Sequence, residues 1–252
     1  MIINQIPLSD YNDSVYLTAY LHLRDSNRFE PETTRPAVII CPGGAYMGIN
    51  EAEAEYLSCQ FLAAGFQTFV LNYTIGAPYA RFPYPIIDLE RAIDHVRAHA
   101  DSYRITKGKI AVIGLSAGAH LASLVSSKFD MAVLAYPILD LNTIDAFGCR
   151  SNESTKAMVE MMFSTILGNT SPTTDALAQY SSKNFVSAQT PPTLIVYSVS
   201  DDWDTLSQVH AYEKTCTENN VSVRLMQNKF GAQGDYTGTW VQEAINWIKS
   251  QT

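Results

Sequence analysis

Short apolar segments of strand length alternate with longer segments of helical periodicity along most of this chain. Residues 15–23 alternate between apolar and polar side chains, which predicts an edge-type strand with one buried face. The later segments are almost continuously apolar and rich in Val, Ile and Leu, so we predict central strands buried on both faces. They cover residues 37–41, 67–73, 109–114, 131–136, 193–197 and 221–226.

Helical periodicity fills the intervals between these strands, with Pro, Asp or Ser near several of the predicted starts. Alternating strands and helices are typical of an α/β protein whose sheet is mostly parallel. No linker, repeat or low-complexity segment divides residues 1–252, so we predict a single domain. The predicted helices cover residues 51–64, 85–100, 117–127, 205–218 and 239–250.

The alternation fails once, in the long interval between Ile138 and Pro191. Within it, residues 154–167 (STKAMVEMMFSTIL) have the pattern of a Met-rich amphipathic helix. Long ordered insertions are usually functional, so we expect about residues 141–187 to form a helical cap over the carboxyl edge of the sheet. The alternative is a long surface excursion.

Composition narrows the class of protein. The 252 residues are 46% hydrophobic, which supports a large buried core and excludes a disordered or fibrous chain. Lys and Arg number 17 against 25 Asp and Glu, a net charge of −8, and no run of five like charges occurs. Nucleic acid is therefore not an expected partner, because the chain is acidic overall and has no basic run to bind the phosphates.

The sequence also bears on location. Its start has no basic segment followed by an apolar one, so we expect no secretory signal. The longest uncharged stretch, residues 56–80, divides into a helix-like half and a strand-like half, so we expect no membrane span. The four cysteines include no C-x-x-C pair, which indicates reduced thiols and a cytoplasmic protein.

A G-x-S-x-G motif at residues 114–118 directly follows an apolar strand and directly precedes a helix. This context predicts a nucleophile elbow, a sharp turn that lifts the Ser116 hydroxyl out of the carboxyl edge of the sheet. We expect strained backbone at Ser116, and steric clashes if Gly114 or Gly118 carried a Cβ. The alternative is a tight turn of small residues that serves packing alone.

A serine nucleophile in acyl transfer also needs N–H donors where the carbonyl oxygen becomes negative. The Ala117 N–H group, at the start of the helix, is one candidate. The segment CPGGAY at residues 41–46 follows an apolar strand, where an HGGG-type loop would lie. The N–H groups of Gly44 and Ala45 are therefore candidates for the rest of an oxyanion hole.

Three segments carry a family resemblance: CPGGAY at 41–46, FPYPIIDLERAIDHVRAHA at 82–100 and KIAVIGLSAGAHLAS at 109–123. Together they resemble the bacterial esterase/lipase branch of the α/β-hydrolase superfamily, which includes acetyl-esterase and carbohydrate-esterase-like proteins. The resemblance implies an α/β-hydrolase fold and a Ser-Asp-His triad in that chain order. It places the acid after a late strand and the histidine after the last one.

The segment after the predicted strand 193–197 contains three carboxylates, Asp201, Asp202 and Asp204. Matching to the family favours Asp201 as the triad acid, with Asp202 as its rival. The alternative is that these carboxylates cap the helix that begins near Thr205.

The resemblance breaks after the last predicted strand, where GAQG at residues 231–234 replaces the family's G-x-H-G. Gln233 thus has the position of the triad histidine, but an amide cannot accept a proton near neutral pH. His120 and His210 lie on helices where we do not expect them to meet the nucleophile. Asp235 is the remaining candidate base.

The sequence therefore supports two functions. The first is an esterase-type serine hydrolase that acts through Ser116 on small acyl or acetyl esters, including those of sugars. The second is a catalytically impaired or non-catalytic hydrolase-fold protein that keeps its pocket for a ligand. Neither a dinucleotide fingerprint nor a metal cluster is present in the sequence, so we expect no cofactor and a small-molecule ester as the partner.

Aromatic residues on predicted loops suggest what would line that pocket, because these loops follow strands at the carboxyl edge. They predict a small aromatic-lined pocket. The six aromatic residues are Tyr46, Tyr73, Tyr79, Phe82, Trp203 and Tyr236.

Overall fold

The computed structural model describes residues 1–9, 12–23, 33–201, 203–228 and 234–251, which form an eight-stranded sheet with helices on both faces. The strands are β1 Ile2–Pro7, β2 Tyr16–Leu21, β3 Arg35–Cys41, β4 Gln67–Asn72, β5 Ile105–Leu115, β6 Met131–Ala135, β7 Thr193–Tyr197 and β8 Val223–Gln227. The helices are α1 Glu51–Ala63, α2 Tyr84–Ala98, α3 Ala117–Leu124, α4 Leu141–Arg150, α5 Glu153–Leu167, α6 Thr174–Ala178, α7 Thr205–Glu218 and α8 Trp240–Gln251.

The sheet is mostly parallel, as the sequence predicted. Its strand order is β1-β2-β4-β3-β5-β6-β7-β8. Every neighbouring pair from β4 to β8 is parallel, whereas β2 runs antiparallel to both β1 and β4. The carboxyl ends of the parallel strands therefore share one edge, where ligands bind in open α/β sheets.

Both edges of the sheet differ from the prediction. The sequence analysis missed β1, whose residues are mostly exposed and include the polar Asn4 and Gln5, so it has no apolar run. Because β1 pairs with β2, residues 15–23 do not form the edge of the sheet, although the predicted alternation with one buried face is confirmed in β2. β8 was predicted to be central and buried, but it forms the other edge and is half-buried, with Arg224 exposed.

The apolar strands separate two packed layers. Along β3, Ile39 and Cys41 face one layer, while Val38 and Ile40 face the other. Helices α2, α3 and α7 cover the first face, and α1 and α8 cover the second. Covering both faces explains why the central strands are almost continuously apolar.

In the described part of the chain, no helix combines the length and the apolar character that crossing a membrane requires. The uncharged stretch at residues 56–80 is divided between α1, β4 and the loop that follows.

The long interval between β6 and β7 is largely helical and contains α4, α5 and α6. Helix α5 matches the predicted Met-rich helix. The Asn152 side chain caps its start by accepting the Thr155 N–H at 3.0 Å, and Gly168, with a φ of 73°, ends it in the left-handed conformation. Its buried side chains include Phe163 and Ile166, which join the core on the α2–α3 face.

Candidate active site

Ser116 lies at the junction between β5 and α3. Its backbone has φ 52° and ψ −116°, so the strained conformation predicted for a nucleophile elbow is confirmed. Its N–H donates to the Ala135 carbonyl on β6 at 3.0 Å, and its own carbonyl accepts the N–H groups of Ala119 and His120. The hydrogen-bond ladder of α3 thus begins at Ala119, and Ala117 N–H has no acceptor within the helix.

The two glycines of the motif are required by close backbone approach, as expected. A Cβ on Gly114 would lie 2.5 Å from the Ala119 Cα atom. A Cβ on Gly118 would collide with the carbonyl oxygens of Cys41 and Pro42 at the end of β3. The motif therefore packs the elbow against the loop that follows β3.

That loop adjoins the nucleophile. A Cβ on Gly43 would lie 3.2 Å from the Cβ of Ser116. Gly44 has a φ of 136° and Ala45 a φ of 53°, and the Gly44 carbonyl accepts N–H groups from residues 47 and 48. Left-handed backbone at a non-glycine residue costs about 1 kcal/mol and clusters at functional sites.

A cavity of about 340 Å³ lies over Ser116 and the 43–45 loop. Helix α5 contributes Met158, Val159 and Met162 to its wall, so this helix of the long interval between β6 and β7 borders the site. Met161 on the same helix is 59% exposed and faces away. Trp203 and Gly234 bring the loops after β7 and β8 to the same cavity.

The prediction of an aromatic-lined pocket was wrong for most of the residues named, because the cavity wall combines glycines and aliphatic side chains with Tyr136 and the polar Asn50 and Glu53. Of the six aromatic residues, Trp203 lines the cavity. Tyr46, Tyr73 and Phe82 instead form a buried edge-to-face cluster. Their loops turn inward to anchor the 43–48 segment, as when Tyr73 Oη donates to the Pro42 carbonyl at 2.9 Å.

His120 belongs to that cluster and is fully buried. Its Nε2–H donates to the Tyr180 carbonyl at 2.7 Å, and its Nδ1 accepts the Tyr46 hydroxyl at 2.7 Å. Burial lowers the pKa of His120 to about 4, so the ring is neutral at physiological pH. Both nitrogens are engaged away from Ser116, and His120 holds the loop that carries Tyr46.

The loop after β7 holds the predicted acid. The Asp201 carboxylate accepts the Trp203 N–H at 2.9 Å and the Thr205 hydroxyl at 2.8 Å. These contacts organise the start of α7, as the capping alternative expects. Asp204 has a left-handed backbone with a φ of 54° and pairs with Arg150 at 3.5 Å. The triad role of Asp201 remains a prediction, and Asp202 lies outside the described residues.

Gln233 also lies outside the described residues. Its neighbour Gly234 lines the cavity, so the loop after β8 reaches the site. The Asp235 carboxylate accepts hydrogen bonds from Asn228 Nδ2 at 3.0 Å and from the Thr237 N–H at 3.3 Å. These contacts hold the loop together. His210 is largely exposed on α7, where it pairs with a glutamate one turn away at 3.4 Å.

The structure adds one residue that sequence analysis missed, the buried Glu53 on α1. Its Oε2 accepts the Gly43 N–H at 2.7 Å and its Oε1 accepts the Tyr136 hydroxyl at 3.0 Å, and it lines the cavity with Ser116. Burial raises the pKa of Glu53, against the effect of these hydrogen bonds. The sequence signal that indicates its burial is its spacing of four and eight residues from the apolar Leu57 and Phe61, which places all three side chains on one face of the helix.

Comparison with known proteins identifies the family of the chain. The BD-FAE family profile matches residues 28–215, most of the chain. An acetylxylan esterase from Xylanibacter ruminicola is 25% identical over 238 residues, which cover 85% of this chain and 45% of that protein. The chain thus spans less than half the length of this relative.

Solved structures share the whole fold. The acetyl ester-xyloside bifunctional hydrolase from Caldicellulosiruptor lactoaceticus superposes with a TM-score of 0.80 at 25% identity, covering 98% of this chain and 96% of that one. An α/β hydrolase enzyme from a Medee basin deep-sea metagenome library has a TM-score of 0.76 at 26% identity, covering 100% and 98%. The fold is therefore that of the α/β-hydrolases, and the chain belongs to the BD-FAE family.

Proposed function

We propose that this protein is a carboxylic-ester hydrolase that cleaves small acyl or acetyl esters, including those of sugars, with Ser116 as nucleophile. The observation that carries this proposal is the strained Ser116 backbone, placed beside the 43–45 loop at the floor of a cavity. Such strain persists only where the surrounding fold enforces it, and it is the hallmark of a nucleophile elbow.

In the proposed reaction, Ser116 Oγ attacks the ester carbonyl and forms a tetrahedral oxyanion. The N–H groups of Ala117, Gly44 and Ala45 stabilise this charge. The bond between the acyl carbon and the alkoxy oxygen then breaks, and the alcohol leaves with the proton that Ser116 gave up. Water hydrolyses the acyl-enzyme to free the acid and Ser116. Asp201 and Gln233 stand at the acid and base positions of the triad. Because a glutamine cannot take the Ser116 proton, we expect slow turnover.

The cavity supports a small acyl group. At about 340 Å³ it lies at the lower end of ligand pockets, and part of its wall is apolar. Ile138, Val159 and Met162 contribute to that wall. An acetyl or short acyl chain would bury its carbon atoms there without leaving a polar group unsatisfied.

A second groove of about 610 Å³ supports a sugar as the alcohol. It lies at the same edge of the sheet, and residues 47–51 form the wall between it and the cavity over Ser116. Tyr16, Asn72 and Tyr79 line it, and none of its described lining residues is a Lys or Arg. Such a surface suits a neutral, hydroxyl-rich group, as the similarity to an acetylxylan esterase and an acetyl ester-xyloside hydrolase also suggests.

A second candidate function is ligand binding without efficient catalysis. It is favoured by Gln233 at the position of the triad histidine. It is also favoured by the contacts of His120, whose ring nitrogens are both engaged by other groups. Under this function the same cavity would hold an ester or acid without turnover.

We also propose that the protein works in the cytoplasm. All four cysteines are unpaired, and two of them, Cys59 and Cys149, are exposed. Exposed thiols persist in reducing compartments and are oxidised elsewhere. Fractionation of the source cells would test this location.

Hydrolysis of nitrophenyl acetate and of acetylated xylo-oligosaccharides tests the proposed function. We expect slow wild-type turnover that is abolished in Ser116→Ala. Gln233→His should raise kcat at least about 100-fold, a conservative part of what a complete triad contributes. The gain should disappear when Ser116→Ala is added to Gln233→His.

Three results would change this interpretation. Wild-type turnover that survives Ser116→Ala would exclude Ser116 as the nucleophile. Fast turnover that is unchanged by both Gln233→His and Gln233→Ala would show that another group accepts the proton. Binding of the ester without hydrolysis, even in Gln233→His, would favour the second function.

A further inference from the structure

Glu53 is a buried carboxylate beside the nucleophile that the Ser-Asp-His scheme does not use. It lies in the first turn of α1 and is 2% exposed. A Cβ placed on Gly43 would be 3.1 Å from Glu53 Oε2 and 3.2 Å from the Ser116 Cβ. Glu53 and Ser116 therefore flank the same glycine at the floor of the cavity.

The two oxygens of Glu53 join two separate segments of the cavity wall. Oε2 accepts the N–H of Gly43, the residue before the candidate donors Gly44 and Ala45. Oε1 accepts the hydroxyl of Tyr136, which follows β6 with a strained φ of 36°. One side chain thus restrains both the loop after β3 and the loop after β6.

Packing alone does not account for a carboxylate here. Burying an ionisable group costs several kcal/mol unless its oxygens are hydrogen-bonded, and burial raises the pKa of Glu53. Leu57 and Phe61, on the same face of α1, fill their space with apolar groups at no such cost. What Glu53 adds is a pair of acceptors directed at donors from two segments.

We propose that Glu53 is a positioning residue that holds the Gly43 peptide and Tyr136 so that the Gly44 and Ala45 N–H groups point at the developing oxyanion. This role rests on the hydrolysis proposed above. Glu53 acts through the loop and not on the substrate. Its carboxylate binds the Gly43 N–H, so this N–H is fixed in place and does not donate to the oxyanion. The donors that remain are the next two N–H groups of the chain.

The test compares Glu53→Gln with Glu55→Gln, an exposed glutamate on the same helix. The glutamine at position 53 keeps an acceptor for Gly43, but its amide N–H groups cannot accept the Tyr136 O–H, so the hydroxyl must reverse its direction and accept from them. We expect kcat on nitrophenyl acetate to fall at least about tenfold with KM within about twofold, because the oxyanion exists only in the transition state. Glu55→Gln should leave both values unchanged.

A second measurement does not depend on activity. The N–H groups of Met47 and Gly48 bond the Gly44 carbonyl, and Asn50 N–H bonds the Gly43 carbonyl. Their hydrogen exchange should accelerate at least about tenfold in Glu53→Gln relative to wild type and Glu55→Gln. If Glu53→Gln does not fold, Glu53→Asp replaces it, since the shorter side chain cannot reach both partners.

The outcomes separate this role from the proposed function. Loop exchange at the wild-type rate in the Glu53 variant would overturn the positioning role, as would faster exchange with an unchanged kcat in an active enzyme. A wild type that is as inactive as Ser116→Ala would overturn the proposed hydrolysis instead. In that case faster exchange would still show that Glu53 holds the loop.

Discussion

His120 makes the stability of this protein depend on pH in a direction and range that follow from its burial. Its pKa is lowered from 6.5 to about 4, chiefly by loss of solvent, while the bond to Tyr180 and the charge of Asp140 act in the opposite direction. Between these pH values the unfolded chain binds more protons than the folded one. His120 therefore contributes stability that is fully present above pH 6.5 and is lost as the pH falls toward 4.

The size of this loss follows from the shift. A shift of one pKa unit corresponds to about 1.4 kcal/mol, so the full contribution is about 3 kcal/mol. Most of it, about 2.5 kcal/mol, should be lost by pH 4.5. Other groups whose pKa is shifted by folding also make stability depend on pH. The quantity to measure is therefore the difference in unfolding free energy between wild type and His120→Gln.

Urea unfolding from pH 7.5 to 4.5 measures that difference. The free energy of unfolding of wild type should fall by about 2.5 kcal/mol more than that of His120→Gln. His210→Gln, which removes an imidazole exposed on α7, is the matched control. Parallel curves for wild type and His120→Gln, or an imidazole that titrates near pH 6.5 by NMR in the folded protein, would refute the reasoning.

Two further substitutions probe the elbow and the second groove. Gly118→Ala should lower the free energy of unfolding by about 3 kcal/mol, because its Cβ collides with the backbone at the end of β3. Gly48→Ala is the control. A Cβ at position 48 meets no atom within 4 Å, so the free energy of unfolding should change by less than about 1 kcal/mol. An equal loss of unfolding free energy in the two variants, measured by urea denaturation, would contradict this steric argument. Tyr79→Ala should raise KM for acetylated xylo-oligosaccharides about fivefold by removing an exposed stacking surface, with no change on nitrophenyl acetate. An equal KM change on both substrates would contradict a sugar-binding role for the groove.

The elements that the sequence predicted best are those whose signals are local. The strand at 193–197 and the helix at 205–218 agree with β7 and α7 at both ends. An apolar run bounded by Pro and Ser, or a helical period that starts after an Asp, is complete within its own segment. The elbow was predictable for the same reason, since G-x-S-x-G, the strand before it and the helix after it are contiguous.

Features that depend on a distant partner were missed. β1 carries few buried side chains and exists because its backbone pairs with β2, which no pattern within residues 2–7 reveals. The aromatic residues on loops were assigned to the pocket because these loops lie at the carboxyl edge of the sheet. Whether Tyr46 points into the cavity or toward His120 depends on residues more than seventy positions apart in the chain.

The clustering of strained backbone around one cavity bears on both proposed functions. Gly44, Ala45, Ser116 and Tyr136 all have positive φ, and all four line the cavity. At a non-glycine residue such a conformation costs about 1 kcal/mol or more. The fold thus maintains a costly arrangement whose common feature is the space around Ser116, which both hydrolysis and ligand binding would use. The two functions differ in one step, removal of the Ser116 proton, so Gln233→His is the substitution that separates them.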